Sequence, residues 1–224
     1  MPRTVAIDGP AGAGKSTIGA LVAEGLGYLF LDTGAMYRAV ALAAMRRGFD
    51  PDDAPRLSEL AKEIRIMIGP PTKQDGRAYT VLLDGADVTW EIRSADVDRI
   101  VSQVARVPGV RDAMVAQQRA LAGQARVVMV GRDIGTVVLP HADRKIFLTA
   151  SASERARRRE EELASRGERR PRQELLHEIL RRDQLDSERA VSPLKAAEDA
   201  IVVQTDGLTV RGALDRVLAA IQRP

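Results

Sequence analysis

Gly9-Pro10-Ala11-Gly12-Ala13-Gly14-Lys15-Ser16 joins the apolar run Val5-Ala6-Ile7 to a segment, Ile18 to Leu26, whose apolar residues recur at helical spacing and stop at Gly27. The stretch fits G-x-x-x-x-G-K-[ST], and its flanks read as the buried strand and the helix that this pattern requires. Glycines let the backbone turn its N–H groups inward and approach an anion without Cβ clashes. The first helical turn adds unpaired N–H groups and the positive end of the helix dipole. Lys15 then reaches the β- and γ-phosphates of a nucleoside triphosphate, and the Ser16 hydroxyl can hold Mg²⁺. The alternative is a glycine-rich turn that happens to contain Lys-Ser; the flanking strand and helix favour the triphosphate.

Downstream, Tyr28-Leu29-Phe30-Leu31 is a second buried strand that ends at Asp32-Thr33-Gly34. Two strands joined by a helix of about ten residues form a right-handed βαβ unit of a parallel sheet. Thr33 is placed to cap the next helix, Ala35 to Arg47, on which Tyr37 and Arg38 sit just beyond the carboxyl end of the strand. Ligands in open α/β sheets bind at that edge, although Arg38 also reads as a solvated helix arginine.

After a proline-punctuated linker, Asp50 to Pro55, and a short helix, Leu57 to Ile64, the pattern changes. Ile64–Ile68, Tyr79–Leu83 and Val88–Ile92, separated by turn residues, predict a small antiparallel meander inserted in the α/β alternation, with Trp90 as its packing anchor. Two helices follow, Ala95–Arg106 carrying Ser102 and Val110–Ala122 carrying Arg111; taken alone, both residues read as ordinary surface positions.

Val127-Val128-Met129-Val130 is a third buried strand and runs into Gly131-Arg132-Asp133. A charged pair there lies at the active edge of the sheet or forms a strand-end salt bridge. Lys145–Leu148 is a fourth strand, and the helix after it puts Arg155, Arg158 and Arg159 on one face. Glu160 to Glu162 follow at i+4 spacing, so that helix reads either as a salt-bridged surface or as a lid turned to phosphate. Leu175–Arg189 is a longer helix with Arg182, Asp186 and Arg189 at i, i+4 and i+7; Ala200–Val203 is a fifth strand and Val210–Ile221 a closing helix. His141 and His177 have no ligand-spaced companions.

Composition narrows the partners. The chain has 224 residues, a net charge of +3 and no cysteine, so disulfides and thiolate metal sites are excluded and a cytoplasmic protein is expected. The N-terminus reaches a strand within four residues, which leaves no room for a signal peptide, and no apolar run is long enough for a membrane span. Five of the 34 basic residues are Lys and the other 29 are Arg, the residue suited to bidentate phosphate contacts or simply the mark of a GC-rich genome. Aromatics are only 3%, against the basic stripe with interleaved rings of a nucleic-acid binder. No helix shows a wide exposed apolar stripe, which points to a monomer.

Five apolar strands alternating with helices predict a doubly wound α/β fold with a P-loop core and a five-stranded parallel sheet. No Asn-Lys-x-Asp of a switch GTPase occurs, and the third strand does not end in the Asp-Glu of an ATPase motor. Arginines instead gather at strand ends and loops: Arg38, Arg111, Arg132, Arg155, Arg158, Arg159, Arg182 and Arg189. Two anionic substrates meeting head to head call for such a set, which favours a phosphotransferase whose acceptor is itself a phosphate.

Gly9 to Thr17, Asp32-Thr33-Gly34-Ala35-Met36-Tyr37-Arg38, Gly131-Arg132-Asp133-Ile134-Gly135-Thr136-Val137-Val138 and Arg189-Ala190-Val191-Ser192-Pro193-Leu194 together resemble the long form of the bacterial cytidylate kinases, in that family's order and over essentially the whole chain. The resemblance implies Mg-dependent transfer of the γ-phosphoryl group of ATP to CMP or dCMP. ATP would lie on Gly9, Pro10, Ala11, Gly12, Ala13, Gly14, Lys15, Ser16 and Thr17. Ser102, Arg111 and Asp133 would meet the cytosine; Arg38, Arg132 and Arg189 the acceptor phosphate; Arg182 and Asp186 the sugar; Thr33 and Tyr37 would line the same pocket. Arg155, Arg158 and Arg159 would belong to a helical lid at about 153–170, beside a core of 1–34, 123–152 and 199–224. An acceptor-binding part at about 35–122 would carry the insertion at 64–93. Kinases acting on UMP, AMP, dTMP or shikimate, and a non-enzymatic ATP-binding module, are the alternatives.

Overall fold

The computed structural model describes residues 1–165, 167–188 and 192–222. Its strands are β1 (Thr4–Asp8), β2 (Leu29–Asp32), β3 (Ile66–Gly69), β4 (Thr80–Leu83), β5 (Ala86–Asp87), β6 (Val127–Gly131), β7 (Arg144–Thr149) and β8 (Ile201–Gln204). The helices are α1 (Lys15–Leu26), α2 (Thr33–Arg46), α3 (Ala54–Glu63), α4 (Ala95–Val104), α5 (Pro108–Gln124), α6 (Ala152–Ser165), α7 (Arg172–Ser187) and α8 (Val210–Gln222). A five-stranded sheet has the order β2-β6-β1-β7-β8, and a three-stranded sheet the order β3-β4-β5. The expected α/β fold, with its parallel sheet and antiparallel insertion, is present.

The chain divides into two compact units, residues 1–29 with 126–224, and residues 30–125. In the first, β1 lies between β6 and β7 and is parallel to both. Every residue of β6 is buried, as is β1 after its first, because helices cover both faces of a parallel sheet; this is why the runs are continuously apolar rather than alternating. The register sets Asp8 opposite Gly131 on one side and Phe147 on the other, so the loops after β1 and β6 leave the sheet at the same edge. Helices α6 and α7 pack on each other through a small core of Ala156, Leu163, Leu175 and Ile179.

In the second unit α2 packs on α4, and α3 on α5. Asp53 and Ser94 cap α3 and α4, each side chain accepting a backbone N–H, whereas Thr33 is already helical and Asp32 holds the cap position without its side chain capping the helix. The meander differs from expectation in its last strand. Only Ala86–Asp87 pairs with β4, and Val88 onward leads into a single 3₁₀ turn at Glu91–Arg93. The cause is side-chain chemistry. The Thr89 hydroxyl accepts the Val81 N–H at 2.9 Å and donates to Asp87 at 2.7 Å, so a side chain stands in for the next ladder bond. Trp90 is 45% exposed and is not the buried anchor; its indole N–H donates to Asp75, while Tyr79, Val81, Val88 and Ile92 fill the interior.

Candidate active site

In the first unit the loop after β1 turns on glycines. Gly9 has φ +149°, and a Cβ there would lie 1.9 Å from the Leu148 carbonyl oxygen of β7. Gly14 occupies the N-cap of α1 with φ 89° and offers no side-chain cap. Three cations converge on consecutive loop carbonyls. Arg132 Nη1 donates to Gly9 O at 3.2 Å, Lys15 Nζ to Pro10 O at 2.7 Å, and Arg155 Nη1 to Ala11 O at 3.1 Å. Ser16 and Thr17 are exposed at the start of α1.

Helix α7 holds two of these arginines from behind. Arg155 makes a bidentate pair with Asp183, at 2.9 and 2.6 Å, and Arg132 is ion-paired with the fully buried Asp186 one turn further on. The site residues on α6 are not equivalent. Arg155 is buried against Gly12, whose added Cβ would sit 3.3 Å from the Arg155 Cβ. Arg158 bonds Glu154 and the Thr205 carbonyl, 2.6 Å away, with Nη1 4.0 Å from where a Gly14 Cβ would be. Arg159 bonds Glu162 at 2.9 Å along its own helix. Arg182 is half-buried on α7, Asp133 is buried after β6, and Arg189 lies outside the described residues.

Sequence patterns did not single out Asp8 or Asp183. Asp8 ends β1 with 4% exposure, and its carboxylate accepts the Ile134 N–H at 2.8 Å and the Gly135 N–H at 2.7 Å. Burial pushes its carboxyl up to about 6; the two N–H groups and Lys15 oppose that shift, and neighbouring Asp133 adds to it. The available signal was an acidic residue closing an otherwise apolar strand.

In the second unit Thr33 and Tyr37 are buried on α2, and the Arg111 guanidinium lies 5.5 Å from the Tyr37 ring centroid with Nη1 on the Ala105 carbonyl at 3.3 Å. Arg38 donates to Ile92 O at 2.9 Å and pairs with Asp98 of α4; Ser102 lies one turn further along that helix and is half-buried. Asp32 accepts the buried Tyr79 hydroxyl at 2.9 Å, and Arg93 donates to that same hydroxyl at 2.8 Å.

The donor set fits a loosely held divalent cation. One exposed hydroxyl beside a phosphate loop suits Mg²⁺, which keeps waters and takes phosphate oxygens rather than a protein cage. Among the described residues there is no cluster of three or more His, Cys, Asp or Glu that could hold a metal by itself.

Residues 5–223 match the cytidylate kinase family model. A cytidylate kinase from Chloroflexus aggregans is 57% identical over 209 residues, 93% of this chain and 89% of the relative. The cytidylate kinase of Roseiflexus castenholzii is 50% identical over 221 residues, covering 98% and 94% of the two chains. That of Pelotomaculum thermopropionicum is 52% identical over 217 residues, covering 97% and 95%.

Proposed function

The chain belongs to the cytidylate kinase family, and from that membership we propose that it transfers the γ-phosphoryl group of ATP to CMP or dCMP, giving CDP or dCDP as a Mg-dependent cytoplasmic monomer of pyrimidine nucleotide metabolism. No helix among the described residues is long and apolar enough to cross a membrane. The observation that carries the reading is the trio of cations, Arg132, Lys15 and Arg155, donating to three successive carbonyls of the phosphate loop.

A neutral carbonyl is a weaker acceptor for Lys or Arg than a phosphate oxygen, so these donors would exchange loop oxygens for phosphate oxygens, Lys15 and Arg155 for those of the triphosphate and Arg132 for those of the acceptor. Ser16 would hold Mg²⁺, which supplies charge neutralisation at the β- and γ-oxygens when bound. A phosphate monoester has its second pKa near 6, so the acceptor oxygen is largely ionised at neutral pH and no general base is required. What the protein supplies is in-line positioning and neutralisation of the transferring group by Lys15 and the arginines of α6. Closure of a lid formed by α6 and its following turn would exclude water and prevent futile hydrolysis.

On the acceptor side, Arg38 and Arg132, with Arg189, take the phosphate; Arg182 and Asp186 take the sugar, with Thr33 and Tyr37 lining the pocket. Cytosine shows acceptors at O2 and N3 and a donor at N4, which Arg111, Ser102 and Asp133 complement. Uracil reverses the pattern at N3 and O4, and each mismatch costs about 1–3 kcal/mol. ADP release coupled to an indicator, measured with ATP/Mg²⁺ against CMP, dCMP, UMP, AMP, dTMP and no acceptor, tests the assignment. CMP and dCMP are expected to dominate; greater activity with UMP or AMP overturns it, and no acceptor-dependent ADP release favours a non-enzymatic ATP-binding module.

A further inference from the structure

We propose that Asp8 is a positioning residue for base recognition: its carboxylate fixes the turn that follows β6, and so sets how Arg132 and Asp133 are presented and how strongly cytosine is preferred over uracil. This rests on the assignment of Asp133 to the cytosine. Four observations carry the inference. Asp8 ends the central strand β1, in register with Gly131, the residue just before Arg132. Its carboxylate is buried and spans the consecutive N–H groups of Ile134 and Gly135, at 2.8 and 2.7 Å. These N–H groups open a single wide helical turn, Ile134–Val138, where a helix offers its first donors no acceptor of its own; a carboxylate from another strand caps it. Finally, Gly135 sits closely against it, since a Cβ there would lie 3.4 Å from Asp8 Oδ2 and 3.1 Å from Lys145 Cδ.

A buried carboxylate is costly unless it is bonded in its charged form, and two backbone donors are what the ionised group accepts best. The charged groups around it are Lys15 from α1, which favours its ionisation, and Asp133 from the turn, which disfavours it. Lys145 of β7 contributes its stem beside Gly135, while its amine is engaged by Pro140 O and Asp199. Neutralising Asp8 therefore removes one of two anchors from the turn. An amide is the sharper probe, because its oxygen can accept only one of the two N–H groups in this geometry and its NH₂ faces the other donor.

The decisive readout is the ratio of kcat/KM for CMP to that for UMP, in which titration of the acceptor phosphate cancels. For Asp8→Asn at pH 8 we expect that ratio to fall about tenfold, with the KM for ATP changed much less. In the wild-type enzyme the ratio should fall as pH drops through about 6, where the Asp8 carboxyl takes up its proton, and this step should be absent in Asp8→Asn. A ratio unchanged within about twofold in the variant, with Asp133→Asn collapsing it, overturns the positioning role and leaves the assignment of Asp133 standing. If Asp133→Asn also leaves the ratio unchanged, the assignment of Asp133 falls and the proposal with it. Should Asp8→Asn not fold, the wild-type pH profile decides: a flat ratio between pH 8 and pH 5.5 overturns the proposal.

Discussion

The phosphate-loop end of the large sheet and the inserted meander both hold arginines against aspartates, and they hold them differently. In the meander the side chain of Arg77 is 3% exposed, forks onto Asp75 at 2.7 and 2.6 Å, and reaches Asp87 at 2.7 Å and the Thr80 and Thr89 hydroxyls. Every partner there is a side chain of the insertion, and Arg77, then Trp90 or Thr89, hold the two carboxyls well below the usual range. At the loop, Arg132 and Arg155 divide their donors between an aspartate of α7 and a main-chain oxygen, the partner that phosphate would replace in the proposed reaction. A buried arginine–aspartate pair is thus no mark of a site by itself. The exchangeable partner is the mark.

The largest effect that tests this contrast is expected of Lys15→Ala: kcat should fall by at least about a hundredfold, with a melting temperature near the wild-type value. Near-normal turnover breaks the contrast at its functional side. Arg132→Ala should follow, losing at least about tenfold in turnover and also about 3 kcal/mol of stability in urea, because the fully buried Asp186 loses a cationic partner. Adding Asp186→Asn should restore part of the stability and none of the turnover; recovery of activity would make the pair structural, like that of the meander. Arg77→Met should do the reverse, lowering the melting temperature by several degrees while turnover with CMP stays within about threefold.

The smallest effect concerns α6. Glu154 has its carboxyl held down to about 2, first by Arg157 and then by Arg158. A depressed carboxyl contributes stability above its ordinary value of 4.5 and loses it as pH falls towards 2. Thermal unfolding of wild type and Glu154→Gln should therefore differ at pH 6 and converge near pH 2; a constant difference would show that those arginines do not depend on the charge.

The parts legible in the sequence are those with a local cause. Strand, glycine loop and α1 follow from apolar run, turn residue and helical period, and the same logic recovered the strands of the parallel sheet and the closing helix. The end of the meander was misread because Val88–Ile92 has strand composition, yet a threonine hydroxyl takes the ladder position and the chain turns. Trp90 was misread because size suggests burial, whereas its N–H serves Asp75 at the surface. Arg155, Arg158 and Arg159 share a helical face in sequence, but their roles separate through residues far along the chain: Ala11 and Asp183 for the first, Thr205 for the second. Asp8 escaped notice because a single acidic residue at a strand end has no pattern. Its meaning lies in two backbone groups more than a hundred positions away.

Gly9 carries a consequence for anyone mutating the loop. Its Cβ would strike a carbonyl of β7, not a ligand. A saturation screen at this position will score intolerance that comes from the packing of two neighbouring strands. Loss of activity at Gly9 should therefore coincide with loss of soluble protein, whereas loss at Lys15 should not. On the proposed reading, the first glycine of the motif answers to the scaffold and the lysine to the nucleotide.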